Sequence, residues 1–499
     1  MLRELGASAL GLLLFGAPAA AQRADAFAVA DLATRGRVLE AFAVRDAQRR
    51  GWLVALSAEA MPPDEKRFVT LFARGEPAGA VVIAIPQTVV AVDVADLGGA
   101  PGPELLLLEA TQLRILDARG ALLRKIALEP ALPIAPRTRE LSRLELARDW
   151  SGRGALEALL PDEAGLRLVP LSGTAPARRL ALPVTAIYGD PQPGPPVRSG
   201  FFRTAVFWPS VFVADDDGDG MRDLVATTRY ALTTYRGSAS GLSARPSRTR
   251  RFPPFTFEEE RRADTNLLLP DLGDLDGDGD ADLIVHRTVG TLTGSRAETR
   301  IHENPGGGAD PLATPAGTLT VAGGVATAKL SDLDGDGRAE LLQSVLPFGI
   351  AQLARILVRS QAELELRVYG FDRNQLATPQ LRWSDEITLP FDFKEGRVTA
   401  LLPDFAGDFN GDGRRDLVYG DGDGNARIRL GAPGGGFGRE AASVPLGASG
   451  GASLSADLDG DRLDELVFWD PVVQGGRLRV ARNKSKLPGS PPRVAPAGP

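Results

Sequence analysis

The sequence contains no cysteine and only two histidines, His286 and His302. The absence of cysteine excludes disulfides, thiol nucleophiles, thiolate zinc sites and iron–sulfur clusters. Two lone histidines leave few schemes of catalysis or zinc binding that depend on imidazole, and we expect both to be structural. After the first 21 residues, no apolar run reaches the roughly 18 residues of a membrane-spanning helix. We therefore expect no transmembrane segment in the mature chain.

Charge and apolar content narrow the class of protein further. The 499 residues carry 64 acids and 57 bases, a formal net charge of −7, which argues against a nucleic-acid partner. Apolar residues make up 43% of the chain, a fraction typical of folded proteins. This length allows either two to four ordinary domains or one large repeat architecture.

Residues 1–21 have the three-part organisation of a secretory signal peptide. Arg3 precedes an apolar run over residues 9–15, and an A-x-A cleavage pattern ends at Ala21. The run is too short to span a bilayer, and the alternative is a buried N-terminal helix or strand. We expect export to the periplasm, the cell surface or the medium of a bacterium, since the composition is rich in Ala and Arg, as in GC-rich bacterial genes.

An acidic pattern, D-x-[DN]-G-D-[GR]-x-x-[DE]-L, recurs along the chain. The copies begin about 60 residues apart on average, a spacing typical of one four-stranded sheet per repeat. Positions 1–9 of the full copies are named loops I to V here, and two further copies are degenerate. The full loops are residues 215–223 (I), 274–282 (II), 332–340 (III), 408–416 (IV) and 457–465 (V), and the degenerate loops are residues 96–104 and 149–157.

Short apolar runs with alternating polar positions follow the loops, and Gly, Asn, Asp and Pro separate them. These runs predict an all-β fold, a β-propeller of four-stranded blades over residues 22–487. Eight blades are favoured and seven are the close alternative. Phe27–Leu32 supplies the missing outer strand of the last blade and closes the ring. Residues 349–361 have helical spacing, and residues 488–499 form a Pro-rich disordered tail.

Each full loop places side-chain oxygens at positions 1, 3, 5 and 9, and glycine at position 4 and usually at position 6. Carboxylates this close repel one another unless a cation lies between them. Ca²⁺ accepts six to eight oxygen ligands in a mixed shell, whereas Mg²⁺ prefers a stricter octahedron. The glycines allow positive φ, so the loop can turn the carbonyl of position 7 inward. Loops I to V hold 22 acids and 5 arginines, while the rest of the chain has more bases than acids.

The loops thus predict up to five Ca²⁺ sites, and solvated acidic turns without metal are the alternative. The predicted side-chain ligands are Asp215, Asp217, Asp219, Asp223, Asp274, Asp276, Asp278, Asp282, Asp332, Asp334, Asp336, Glu340, Asp408, Asn410, Asp412, Asp416, Asp457, Asp459, Asp461 and Glu465. The predicted carbonyl ligands at position 7 are Met221, Asp280, Arg338, Arg414 and Leu463.

Some copies depart from the pattern. Asn410 retains an oxygen at position 3 but removes a charge, and Arg462 replaces the glycine at position 6 of loop V. We expect loop V to be distorted or to bind calcium more weakly. The degenerate loops retain too few acids, so we expect them to keep the turn without the metal. An EF-hand fits poorly, because position 12 is never acidic and strands follow the loops.

The five full loops resemble the FG-GAP and VCBS repeats, which occur in the α-subunit propeller of integrins and in many exported bacterial proteins. The segments TTYRGSASGL and RIRLGAPGGGFG after loops I and IV resemble them too. The resemblance covers roughly residues 27–487 and fits a bacterial VCBS-type subgroup best. It implies a β-propeller in which each Ca²⁺ loop joins the first and second strands of a blade. Integrin-like ligand binding is not implied.

These observations predict an exported, monomeric, non-enzymatic propeller in which calcium is structural and one face binds a protein or a surface glycan. A polysaccharide lyase or glycan hydrolase on the same scaffold is the first alternative. Such an enzyme needs two carboxylates across a cleft, outside the metal loops, and the sequence does not single out such a pair. A shell or adhesion component without a discrete small ligand is the second alternative.

Overall fold

The computed structural model is a ring of eight antiparallel sheets, and it describes most of residues 26–490. Residues 1–25, which include the predicted signal peptide, and residues 491–499, which include most of the predicted tail, lie outside the described residues. The internal gaps are at residues 61–63, 133–140, 163, 174, 183–184, 189–203, 208, 228–230, 252–264, 268–269, 290–295, 305–313, 348–349, 373–374, 393, 395–396, 422, 447–450, 473–476 and 485–486.

The first four blades follow one another along the chain. Blade 1 contains β2 (Arg37–Arg45), β3 (Gly51–Glu59), β4 (Lys66–Ala73) and β5 (Val81–Ile85). Blade 2 contains β6 (Val89–Ala95), β7 (Glu104–Glu109), β8 (Gln112–Leu116) and β9 (Leu122–Ala127). Blade 3 contains β10 (Ala147–Arg148), β11 (Glu157–Asp162), β12 (Gly165–Pro170) and β13 (Arg178–Ala181). A hairpin of β14 (Thr185–Tyr188) and β15 (Thr204–Phe207) precedes blade 4, which contains β16 (Ser210–Ala214), β17 (Asp223–Thr227), β18 (Ala231–Tyr235) and β19 (Arg248–Arg251).

The remaining blades carry the local irregularities. Blade 5 has an interrupted first strand and contains β20 (Thr265–Leu267), β21 (Asp271–Gly273), β22 (Asp282–Val289), β23 (Arg296–His302) and β24 (Gly317–Ala322). Blade 6 contains β25 (Gly324–Ser331), β26 (Glu340–Leu346), β27 (Gln361–Gly370), β28 (Gln380–Asp392) and the short β29 (Arg397–Val398). Blade 7 contains β30 (Asp404–Gly407), β31 (Asp416–Gly420), β32 (Asn425–Ala432) and β33 (Gly436–Pro445). Blade 8 contains β34 (Ala452–Ala456), β35 (Glu465–Trp469), β36 (Arg477–Asn483) and the N-terminal β1 (Phe27–Ala33).

The ring is closed by pairing the two ends of the chain. β1 lies antiparallel to β36, with Phe27 opposite Asn483 and Ala33 opposite Arg477. This closure covers the outer edge of β36 in the last blade and confirms the predicted role of the N-terminal segment. The structure also confirms the all-β propeller and the favoured number of eight blades, so the alternative of seven is wrong.

The second strand of a blade is deeply buried because it is covered on both faces. β7 (ELLLLE) and β35 (ELVFW) are buried at every residue. Each boundary between neighbouring blades has its own cluster of buried apolar side chains, so every blade packs against two neighbours. A strand buried on both faces reads as a continuous apolar run, as the sequence does after each acidic loop.

The first strands of neighbouring blades contact one another, for example β2 with β6 and β34, and therefore surround the axis of the ring. The helix α1 (Ile350–Arg359) connects β26 to β27 and confirms the helical spacing predicted there. Within the described residues, no helix has both the length and the apolar content needed to cross a bilayer.

Candidate metal centre

Each acidic loop joins the first strand of a blade to the second. Loop I follows β16 and ends on the first residue of β17, and loops II to V have the same place in blades 5 to 8. Because equivalent connections of successive blades lie at the same end of a propeller, the five loops follow one another around one face of the ring. This agrees with the placement that the family resemblance implied.

Within each loop, the position 1 carboxylate organises the turn by accepting two backbone N–H groups. In loop II, Asp274 Oδ1 accepts from the N–H of Gly277 at 2.6 Å and Oδ2 accepts from the N–H of Gly279 at 3.2 Å. Both glycines have positive φ, 80° and 99°, which L side chains adopt only at a cost. The same pair of hydrogen bonds, from positions 4 and 6, forms in the other four loops.

Positions 5 and 7 are linked in the same local way. The N–H of Asp280 donates to Asp278 Oδ1 at 2.8 Å, which turns the backbone after position 5. The same bond, from the backbone N–H of position 7 to the carboxylate of position 5, forms in the other loops. It joins Met221 to Asp219, Arg338 to Asp336, Arg414 to Asp412 and Leu463 to Asp461. The loop conformation is therefore set by hydrogen bonds within nine residues.

Position 9 has a structural function in addition to its predicted role as a ligand. Asp282 is 1% exposed and accepts from the N–H of Leu275 and of Asn304, both at 2.9 Å. Burial, followed by the charges of Asp276 and Asp278, raises its pKa to about 7. Burial is likewise the largest cause of the raised pKa of the other position 9 acids, Asp223 (about 6), Glu340 (about 7), Asp416 (about 7) and Glu465 (about 8).

Four loops bring three acids close enough for one ion. In each set, the three side chains offer oxygens that all lie within 4.8 Å of one another. Ca²⁺ binds oxygens at about 2.3–2.6 Å, so two ligands of one ion are at most about 5 Å apart, and these sets fit calcium. The sets are Asp215, Asp217 and Asp223; Asp274, Asp276 and Asp282; Asp332, Asp334 and Asp336; and Asp457, Asp459 and Glu465.

Buried oxygens without donors support the same fit. Within the described part of the chain, Asp217 Oδ1, Asp280 Oδ1 and Glu465 Oε1 are buried and have no hydrogen-bond partner. A buried carboxylate oxygen without a donor is unfavourable, and a bound cation removes that cost. The donor set is oxygen only, which suits a hard divalent cation such as Ca²⁺.

The remaining predicted ligands lie in the same loops but outside these sets of three. Asp219 at position 5 of loop I accepts from Arg236 Nη2 at 2.8 Å. In loop IV, Asn410 Nδ2 donates to Asp412 Oδ2 at 3.1 Å, while Asp408 and Asp416 hold the turn as their equivalents do. The other members of this group are Asp278, Glu340 and Asp461.

Arg462 does not distort loop V, so that part of the expectation is wrong, while weaker calcium binding at this loop stays a prediction. Arg462 adopts a positive φ of 73°, and its N–H donates to Asp457 Oδ2 at 3.0 Å, as glycine does in the other loops. A side chain in the left-handed region costs roughly 1–2 kcal/mol, so loop V keeps the shared geometry with some strain.

The degenerate loops keep the turn by different means. In residues 96–104, Glu104 accepts from the N–H of Leu97 at 2.8 Å, which is the usual bond between positions 2 and 9. In residues 149–157, the Arg153 guanidinium contacts Ser151 Oγ at 3.1 Å and Glu157 Oε1 at 3.3 Å. A side-chain cation thus lies among positions that gather carboxylates in loops I to V.

Sequence reasoning missed the residues that tie neighbouring loops together. Asn304 Nδ2 lies 3.2 Å from the carbonyl oxygens of both Asp216 and Ala281, and so bridges loops I and II. Asn483 Nδ2 bridges loops IV and V in the same way, through Phe409 O at 2.6 Å and Asp464 O at 3.3 Å. Both asparagines lie at or just after the third strand of a blade. An asparagine at this recurring position is the sequence signal that could have identified them.

Loop I is further distinguished by two arginines. Arg250 is buried and forms an ion pair with Asp216, which occupies the usually apolar position 2. Arg236, directly after β18, lies 2.9 Å from Asp217 Oδ2 in addition to its contact with Asp219. Loop I therefore has guanidinium counter-charges at both its buried and its exposed side.

Both histidines are buried. His286 lies in β22, is 2% exposed, and its Nδ1 lies 2.8 Å from Thr299 Oγ1. Burial lowers its pKa to about 4. His302 is also buried, at the end of β23, where it lies opposite Leu283.

A protein-family model for the FG-GAP-like repeat matches residues 408–489. The match begins at loop IV, includes loop V and ends after β36. The matched segment therefore runs from the acidic loop of blade 7 to the end of blade 8 of the propeller.

Similar solved structures have low sequence identity to this chain. The biofilm matrix protein Bap1 of V. cholerae aligns with a TM-score of 0.40 and 14% identity over 93% of this chain and 89% of that one. A lectin of Agrocybe aegerita that recognises non-reducing terminal N-acetylglucosamine aligns with a TM-score of 0.37 and 13% identity over 74% of this chain and 86% of that one. No curated protein matches the sequence significantly. These values are too low to transfer a function to this chain.

Proposed function

We propose that this protein is an exported, calcium-stabilised β-propeller that serves as a binding scaffold for a protein or a glycan. The observation that carries the calcium part is the recurrence of three acids with oxygens within 4.8 Å in equivalent loops of four blades. Solvated acidic turns need no such convergence, whereas an ion shared by three oxygens requires it.

Calcium has a structural role in this proposal. The ion neutralises the loop between the first and second strands of a blade and holds the position 9 carboxylate in its charged form. Because it binds only the folded protein, it stabilises the propeller by mass action. The scaffold acts as a monomer and without catalytic residues, and its ligand contacts come from connections on the rigid ring.

A comparison of unfolding with and without calcium tests the metal. We expect EDTA to lower the melting temperature of the protein. We expect Asp276→Ala and Asp334→Ala each to weaken Ca²⁺ binding at one site, as measured by isothermal titration calorimetry. Asp423→Ala is the matched control, because Asp423 is an exposed acid in the turn between β31 and β32, outside the loops. A melting temperature that EDTA leaves unchanged would contradict calcium stabilisation.

The binding role needs a separate assay. We expect retention of a glycan or of a surface protein on an array probed with the calcium-loaded protein, and no release of reducing sugar from the same glycans. Release of reducing ends, or of unsaturated products, would favour the alternative of a hydrolase or lyase on this scaffold.

A further inference from the structure

The side chain of Asp280, at position 7 of loop II, leaves its own loop. Its carboxylate lies over loop I of the neighbouring blade, where a Cβ built on Gly218 would be 2.5 Å from Asp280 Oδ1. The residue is 5% exposed, and Oδ1 has no hydrogen-bond partner within the described residues. A buried, unpartnered carboxylate oxygen therefore points into loop I.

Loop I has a matching oxygen next to that contact. Asp217, the residue before Gly218, also has a buried Oδ1 without a partner in the described part of the chain. Its other oxygen, Oδ2, is the one that Arg236 contacts. Each of these buried oxygens lacks a donor, which is unfavourable, and a cation bound in loop I would satisfy both.

This arrangement is specific to the boundary between blades 4 and 5. Position 7 is Met221, Arg338, Arg414 or Leu463 in the other loops, so only loop II has an acid there. The arginines turn back to position 5 of their own loop: Arg338 contacts Asp336 and Arg414 contacts Asp412.

The backbone holds Asp280 in this place. The N–H of Ala281, the next residue, donates to the carbonyl of Asp215 at 3.0 Å. The Asn304 side chain bridges the carbonyls of Asp216 and Ala281. Loops I and II are thus linked directly beside Asp280, so its carboxylate is preorganised toward loop I.

We propose that Asp280 is a side-chain ligand of the Ca²⁺ ion in loop I, so that this ion is bound by residues of two blades. The inference rests on the calcium binding proposed above. It corrects the expectation that Asp280 serves loop II through its carbonyl alone. Calcium at this boundary links blade 4 to blade 5, whereas the ions in the other loops have their side-chain ligands in a single blade.

Asp280→Asn tests the assignment, because it removes the charge and retains the backbone carbonyl of loop II. Calcium binding to the full mature chain is measured by calorimetry, with native mass spectrometry for the number of ions. We expect the affinity of one site to fall at least tenfold and the others to stay unchanged. Asp423→Asn, in an exposed turn, is the matched control and should bind as the wild type does.

Two backgrounds identify the affected site. In Asp217→Ala, which lacks a loop I ligand, Asp280→Asn should cause no further loss. In Asp276→Ala, which lacks a loop II ligand, it should cause its full loss. The opposite pattern, or affinities within twofold of wild type for Asp280→Asn alone, would overturn the proposal while calcium binding itself stands. A wild-type chain that binds no calcium would overturn both proposals.

A second variant and a direct observation cover a failure to fold. Asp280→Ser is smaller and also removes the charge, and it should reproduce the tenfold loss. If neither variant folds, a crystal structure of the wild type with Ca²⁺ decides. An Asp280 oxygen within about 2.6 Å of the ion in loop I supports the proposal, and a separation beyond 3.5 Å overturns it.

Discussion

Alanine substitutions at positions 3 and 9 of one loop should respond differently to the removal of calcium. In loop II, Asp276 is a predicted ligand, and its Oδ1 accepts from the N–H of Asp278 at 3.1 Å. Asp282 accepts two buried N–H groups, from Leu275 and Asn304. The two alanine variants thus separate loss of a metal ligand from loss of a structural acceptor.

The expected magnitudes follow from these contacts. Asp282→Ala leaves two buried donors without an acceptor, at about 1–3 kcal/mol each, so it should destabilise the protein by about 2–6 kcal/mol even in EDTA. Asp276→Ala should be neutral or slightly stabilising in EDTA, because burial and the neighbouring Asp278 charge raise the pKa of Asp276. In calcium at about one hundred times the dissociation constant, Asp276→Ala should lose about 2.7 kcal/mol of linkage.

The assay is urea unfolding of the mature chain, followed by tryptophan fluorescence and circular dichroism, in EDTA and in calcium. We expect the midpoint of Asp276→Ala to equal or exceed that of the wild type in EDTA and to fall below it in calcium. Asp282→Ala should be lower in both conditions. If Asp276→Ala destabilised as much as Asp282→Ala in EDTA, or behaved as wild type in calcium, the division of roles between these positions would be refuted.

Three further predictions concern pH, backbone strain and ring closure. Burial raises the pKa of Glu465 to about 8 and of Asp282 to about 7, above their unfolded values. In the metal-free protein, the stability that these two groups contribute is therefore present at acidic pH and is lost as pH rises through 7 to 8. The difference in melting temperature between calcium and EDTA should thus be larger at pH 8.5 than at pH 6, and an equal difference in scanning fluorimetry would contradict this. Arg462→Gly removes the strain of a positive φ and should raise the free energy of unfolding. The gain is limited to about 1 kcal/mol because glycine also increases the entropy of the unfolded chain, and a lower urea midpoint would count against this prediction. Deleting residues 26–33 exposes the edge of β36 and should lower the melting temperature and cause self-association in size-exclusion chromatography, whereas an unchanged monomer would be inconsistent with closure by β1.

The sequence by itself was sufficient for the repeat architecture and for the interior of each loop. The hydrogen bonds of Asp274 to Gly277 and Gly279 join residues at most five apart, so composition and spacing determine them. The closing strand was also predictable, because an incomplete last blade and an unused N-terminal strand imply each other. The helix Ile350–Arg359 was visible in its apolar spacing.

Only the tertiary structure decided which loop a side chain serves. The Asp280 carboxylate lies over Gly218, and Asn483 bridges Phe409 and Asp464, because packing of the blades brings loops from different repeats together. The Arg153 guanidinium among the positions of a degenerate loop likewise depends on how its long side chain packs. Hydrogen bonds within a loop join residues that are close in sequence, so the spacing of the residues predicts them. Contacts between repeats depend instead on the rotation from one blade to the next, which the spacing within a repeat does not determine.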